Sequence, residues 1–151
     1  MTISRYSSSV TLPEAEKHYP SMLAFLVERF PHVRRDIWEQ RILAGKVLDE
    51  HGNPVSIDAK YIPRKRIFYF REVEEERVIP FAEKIIYLKD DLLVACKPHF
   101  LPVIPGGPYV AECLLNRLRE KTGIDELVPI HRIDRETAGI VLFSANRKTR
   151  K

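Results

Sequence analysis

Val128-Pro129-Ile130-His131-Arg132-Ile133-Asp134-Arg135-Glu136-Thr137-Ala138-Gly139-Ile140-Val141-Leu142-Phe143 decides how this chain is read. Pro129 restricts the apolar entry to extended backbone. Ile140 to Phe143 is a run of strand-forming residues. The residues between them therefore form a turn-rich connection held by a sheet, the kind of segment that often carries binding or catalytic groups. Within it one carboxylate, Asp134, lies between two guanidiniums, Arg132 and Arg135, with the imidazole of His131 and the hydroxyl of Thr137 close by. No second acid stands at a spacing that makes a catalytic pair. Flanking positive charge favours the ionised carboxylate, and an ionised aspartate serves as nucleophile or base. The plainer reading is a salt-bridged turn in which Arg132 and Arg135 neutralise Asp134 and Glu136. A metal centre is not expected, because three or four ligands are needed and only His131 and Asp134 are local.

Working outward, Lys84-Ile85-Ile86-Tyr87-Leu88-Lys89 and Leu92-Leu93-Val94-Ala95-Cys96 flank Asp90-Asp91 and predict a hairpin, mostly buried. The prolines between Lys97 and Pro108 exclude a helix there. Gly106-Gly107 lacks the spacing of a phosphate loop. Ala111, Leu114, Leu115 and Leu118 predict a helix over 110–121 stopped at Gly123, with Arg117, Arg119, Glu120 and Lys121 outside. Met22, Phe25, Leu26 and Phe30 predict another over 21–30 between Pro20 and Pro31. A further helix, from Arg34 or Arg35 to Ala44, ends at Gly45. Lys46-Val47-Leu48, Val55 and Arg66 to Arg71 read as short strands separated by the turn-forming His51-Gly52-Asn53-Pro54. The polar, Ser-rich start predicts a flexible arm, and the glutamates of Glu72 to Glu76 predict a solvated connector. The expected division is an arm at 1–19, a small module at 20–74, a linker at 75–80 and a second unit at 81–151, giving an α+β fold.

Composition narrows the class. The hydrophobic fraction is 44% and the charged fraction 30%, and no apolar run approaches the roughly 20 residues of a membrane span, so no membrane partner is expected. The net charge of +4 is gathered in blocks: Arg64-Lys65-Arg66, Arg117/Arg119/Lys121 and Arg147-Lys148/Arg150-Lys151. Any one block alone reads as a solvated face; together they suit phosphate. Cys96 and Cys113 are remote in sequence and outside any CxxC pair, which predicts reduced thiols and a cytoplasmic location.

His131, Arg132, Ile133, Asp134, Thr137, Ala138 and Gly139 together resemble the HR(L/I)DxxT(S/A)G signature of the RluA-type RNA pseudouridine synthases. Asp90 to Lys97-Pro98 is similar to that family's opening of acidic turn, apolar strand and Lys-Pro. The resemblance implies a mixed, largely antiparallel sheet domain that isomerises uridine to pseudouridine in ribosomal or transfer RNA, without cofactor or metal. It implies that Asp134 is catalytic, either attacking the sugar C1′ or removing the C2′ proton, and that Arg132 fills the place of the displaced base. His131, Arg135 and Thr137 then order the loop or contact RNA. Residues 20–74 more loosely resemble an S4-like RNA-binding module, whose basic helix entry is Arg34 and Arg35; Leu48 to Asn53 departs from that pattern. Many family members have glycine where Phe100 stands and histidine where Ile104 stands. Family domains continue past the aspartate motif, with a tyrosine that stacks on the base and a basic partner for the aspartate. The expectation is therefore a truncated catalytic domain with little activity of its own, the alternative being a non-catalytic RNA-binding protein.

Overall fold

The computed structural model describes residues 2–14 and 19–150, and the fold is mixed α+β. The chain divides between Arg71 and Glu72 into two compact units, Arg5–Arg71 and residues 2–4 with 72–150.

In the first unit, strand β2 (Ser8–Thr11; β1, Thr2–Ile3, belongs to the second unit) is followed by helices α1 (Met22–Arg29) and α2 (Arg35–Leu43) and strands β3 (Val47–Leu48) and β4 (Arg66–Tyr69). Its sheet has the order β2-β4-β3, all antiparallel. The Ser21 hydroxyl accepts the Ala24 N–H at 3.1 Å and caps α1. That fixes the helix so that Met22, Leu23, Phe25 and Leu26 are buried. They meet Trp38, Ile42, Val47 and Ile67 in one core. Gly45, at φ 69°, supplies the left-handed turn that lets the chain leave α2 and enter β3.

The start of the chain is not a loose arm. Ser8–Thr11 pairs with β4 along four positions, and Leu12 is fully buried. Val10 and Leu12 alternate with polar neighbours, a period-two pattern hidden by the serines, and β4 would otherwise present an open edge. Residues 1 and 15–18 of the expected arm lie outside the described residues.

In the second unit β1 pairs with β5 (Glu72–Val73). Strands β6 (Lys84–Lys89), β7 (Leu92–Lys97), β8 (Val128–Pro129) and β9 (Gly139–Ser144) form an antiparallel sheet in the order β6-β7-β9-β8, with helix α3 (Leu114–Thr122) between β7 and β8 in sequence. Leu93, Ala95, Val141 and Phe143 face the core and pack with Leu101, Val103, Leu114, Leu118 and Leu127. The opposite sheet face, with Tyr87, Val94, Cys96, Ile140 and Leu142, is only partly covered, so the hairpin is not mostly buried. Only alternate residues of β7 are enclosed, and β6 is an edge strand whose ladder shifts register between Ile85 and Tyr87.

The expected connector is likewise anchored. Glu72–Val73 is a strand and Ile79 is buried. Repulsion among the glutamates is overcome at Glu76, whose carboxylate accepts the N–H groups of Val110, Ala111 and Glu112 at 2.6, 2.9 and 2.8 Å. Arg117 of α3 donates to the carbonyls of Ile79 (2.6 Å) and Phe81 (2.8 Å) and pairs with Glu83 and Glu112. Burial pushes the Glu83 carboxyl up, but hydrogen bonds from Lys121 and Arg117 outweigh it and hold the group below the ordinary range. A depressed folded-state pKa gives stability that is present above the unfolded value, 4.5, and is lost as pH falls through the folded one. Glu83→Gln is expected to remove about 1–3 kcal/mol at neutral pH and to flatten the loss of stability below pH 4.5. Urea titrations across that range, followed by a probe in the second unit, check it; an unchanged acid slope would refute the assignment.

Candidate active site

The Asp134 turn is held at both ends by β9. The Ile130 N–H donates to the Leu142 carbonyl at 2.9 Å, and the Leu142 N–H donates to His131 Nε2 at 3.2 Å. His131 thus orders the loop by straddling the same strand position as its neighbour. The Thr137 N–H closes the turn on the Asp134 carbonyl at 3.2 Å; the main chain of Thr137, not its hydroxyl, makes that bond. Ile133 packs into the core, and a Cβ at Gly139 would meet Ile133 Cδ1 at 3.4 Å, so the glycine allows a close approach.

With Ile133 turned inward, Arg132 and Asp134 are exposed on either side of it. They help line an open cleft of about 360 Å³ whose other wall is Pro102 to Gly106, Pro108 and Tyr109, at the small end of the usual ~300–1,000 Å³ for ligand sites. The expected ion pairing differs. Arg135 donates to Glu136 through Nε at 2.8 Å and to the Tyr109 hydroxyl at 3.2 Å, and lies over the Tyr109 ring at 5.7 Å. Hydrogen bonds from Arg135 hold the Glu136 carboxyl below its ordinary value, and Glu136 in turn raises Arg135. Neither Asp134 nor Arg132 makes a side-chain hydrogen bond or ion pair with a described residue. The neutralised turn is therefore realised only for Arg135 and Glu136: adjacent residues can close that contact locally, whereas Asp134 faces the cleft.

Arg34 and Arg35 are in the other unit, engaged by Asp36 and Glu39 on their own helix. Of the basic blocks, Arg64 pairs with Glu14, Lys65 with Glu50, and Arg117 and Lys121 with Glu83; Lys151 lies outside the described residues. Both cysteines are unpaired, and burial pushes the Cys113 thiol up to about 12. Among the described residues no three His, Cys, Asp or Glu side chains gather as a metal site, and no helix is long and apolar enough to cross a membrane.

Sequence reasoning missed three supports of the site. Lys97 is fully buried, and its ammonium donates to the carbonyls of Pro98 (3.0 Å), Leu101 (2.7 Å) and Arg135 (3.0 Å). Burial lowers its pKa, opposed by the charge of Glu136. The signal was available: Leu93, Ala95 and Lys97 alternate on the enclosed face of β7. Tyr109 braces Arg135, and Glu76 gathers the three N–H groups that follow Tyr109. Neither is foreshadowed by a local pattern.

A sheet-mounted turn presenting an unengaged carboxylate and guanidinium over an open cleft is suited to carboxylate chemistry on a ligand arriving from solvent. Residues 91–151 match the RNA pseudouridylate synthase family. An uncharacterized RNA pseudouridine synthase of Synechocystis is 28% identical over 130 residues, covering 86% of this chain and 44% of its own length. RNA pseudouridine synthase 5 of Arabidopsis thaliana is 30% identical over 73% of this chain and 32% of its own. The dual-specificity RNA pseudouridine synthase RluA of Haemophilus influenzae is 38% identical over 64 residues, 42% of this chain and 28% of its own. The chain thus spans less than half the length of each of these relatives. The matched segment contains the whole Asp134 turn, so the turn lies in the part of the chain that is similar to the RNA pseudouridine synthases.

Lys97→Met keeps the stem and removes the ammonium, leaving the buried Leu101 carbonyl and the part-buried Pro98 and Arg135 carbonyls without their donor. The expected result is a loss of roughly 2–4 kcal/mol and faster hydrogen exchange at the amides of residues 134–137. Unchanged exchange there would show that Lys97 does not hold the turn.

Proposed function

We propose that the His131–Gly139 segment is the catalytic loop of an RNA pseudouridine synthase that isomerises uridine to pseudouridine in structured RNA, ribosomal or transfer. The observation that carries this reading is the Asp134 carboxylate, exposed and unengaged at the rim of the cleft within the family-matched segment. The reaction breaks the C1′–N1 bond, turns the uracil and joins C5 to the same C1′, with the C5 proton replaced by one at N1. It is isomerisation, so no electron acceptor enters. Asp134 acts as nucleophile at C1′ or base at C2′. Arg132, planar, cationic and unpartnered among the described residues, occupies the vacancy left by the displaced uridine. His131 and the Thr137 main chain hold the turn, and the Arg135–Tyr109 contact supports its far side.

The helix pair and three-stranded sheet of Arg5–Arg71 support reading that unit as an S4-like module. The carboxylate pairing of Arg34 and Arg35 means that RNA must displace Asp36 and Glu39 to use them. Unpaired thiols suit a reducing, cytoplasmic setting.

Tritium release from RNA containing 5-tritiated uridine, with protein in excess over RNA, tests the assignment. Because no basic side chain among the described residues engages Asp134, turnover by this chain alone is expected to be low, and Asp134→Asn is expected to bring it to background. A reduction of the order of 10²–10⁴ follows from losing a reacting carboxylate. Release that survives the substitution would remove Asp134 from the reaction.

A further inference from the structure

The loop that follows β7 presents a second feature beside the Asp134 turn. Phe100 is 48% exposed and Phe81 49% exposed, their ring centroids 6.3 Å apart, and the His99 ring lies 6.0 Å from Phe100. With Pro80, Ala82 and Pro98 they line a shallow depression of about 460 Å³. Phe100 has φ 66°, a left-handed backbone that a bulky side chain rarely adopts. An aromatic ring held in that conformation yet left half in solvent is not explained by core packing, and backbone outliers of this kind gather at functional sites.

The loop is joined to the Asp134 turn at two points. His99 Nδ1–H donates to the Glu136 carbonyl at 2.8 Å, and Lys97 bridges the carbonyls of Leu101 and Arg135. The depression has no aliphatic side chain longer than Ala82. Flat rings and prolines at such a surface fit a flat ligand better than an apolar peptide, which needs pockets for branched side chains. Unpaired RNA bases are held in this way, by stacking on aromatic faces.

We infer that His99, Phe100 and Phe81 form a stacking platform for an unpaired base of the RNA substrate, adjacent to the uridine that is handled at Asp134. The platform rests on the reading of the Asp134 turn as the catalytic loop. It adds to that loop a subsite for single-stranded substrate, so that a flanking base is held while the target uridine is displaced.

The test uses the full chain and a stem-loop RNA with an oligouridine loop carrying one 2-aminopurine, whose fluorescence is quenched on stacking. Phe100→Gly relieves the left-handed strain, so it is expected to raise the melting temperature while abolishing the quench and weakening binding about 5- to 150-fold, the equivalent of one stacked base. Phe81→Leu is expected to weaken both quench and binding with the fold intact. Arg132→Ala is expected to weaken binding with the quench retained at saturation. If Phe100→Gly leaves quench and affinity unchanged while Arg132→Ala weakens binding, the platform is overturned and the catalytic reading stands. If Phe100→Gly lowers the melting temperature, the ring is a packing residue and the platform also falls. If the wild-type chain does not bind the RNA, both readings fail.

Discussion

A buried ammonium is the constraint on which the site depends. Lys97 sits at the end of β7 with no exposed surface, where an uncompensated charge would be strongly unfavourable. It is tolerated because its three donors meet three carbonyls, one from the next residue, one from the end of the Pro98–Leu101 loop and one from Arg135. The same contacts that satisfy the ion draw together two segments far apart in sequence. The Leu101 carbonyl is buried and those of Pro98 and Arg135 are part-buried, so loop and lysine satisfy one another. The Asp134 turn therefore takes its position from the sheet at β9 and from the ammonium beneath it.

The opposite wall of the cleft is built by the reverse arrangement, an anion held by backbone donors. Glu76 accepts from three successive N–H groups, those of Val110, Ala111 and Glu112, just before α3 begins. The first amides of α3 donate to the carbonyls of Pro102 and Val103, so the proline-rich wall is continuous with the helix. Arg117 then ties α3 back to the segment that carries Glu76. Proline-rich loops have few amides with which to hold one another, and in this unit charged side chains supply the missing bonds. Tyr109 lies between the two systems, adjoining the amides that Glu76 gathers and bracing Arg135 on the turn.

Periodicity and punctuation made the elements legible. The helical stripes of α1 and α3, the hairpin around Asp90-Asp91 and the glycine stops at Gly45 and Gly123 all follow from local rules, because each depends on residues within a few positions. The Asp134 motif was legible by another route, the resemblance of His131 to Gly139 to a family signature. Lys97, Glu76 and Tyr109 were not, since their partners lie 1 to 38, 34 to 36 and 26 positions away. A lysine or glutamate in sequence carries no mark of the backbone group it will meet. The serines of β2 misled for another reason: composition suggested solvent, while alternation, confined to Val10 and Leu12, was too short to outweigh it.

The pairing within the turn shows why the motif has its composition. In sequence, Arg132 and Arg135 flank the carboxylate and read as its counter-ions. In space they separate, because Ile133 is turned into the core and its neighbours are projected outward. Arg135 closes on Glu136 and Tyr109, contacts available within the protein. A guanidinium already paired within the turn would have to lose that partner before meeting a ligand in the cleft. Glu136 removes one competitor by engaging Arg135. The result is that Asp134 and Arg132 meet the cleft without bonds to break, while the loop bearing them stays fixed by His131, Lys97 and the Thr137 amide. The rigidity of the turn and the availability of its two outward groups thus arise from the same division of partners.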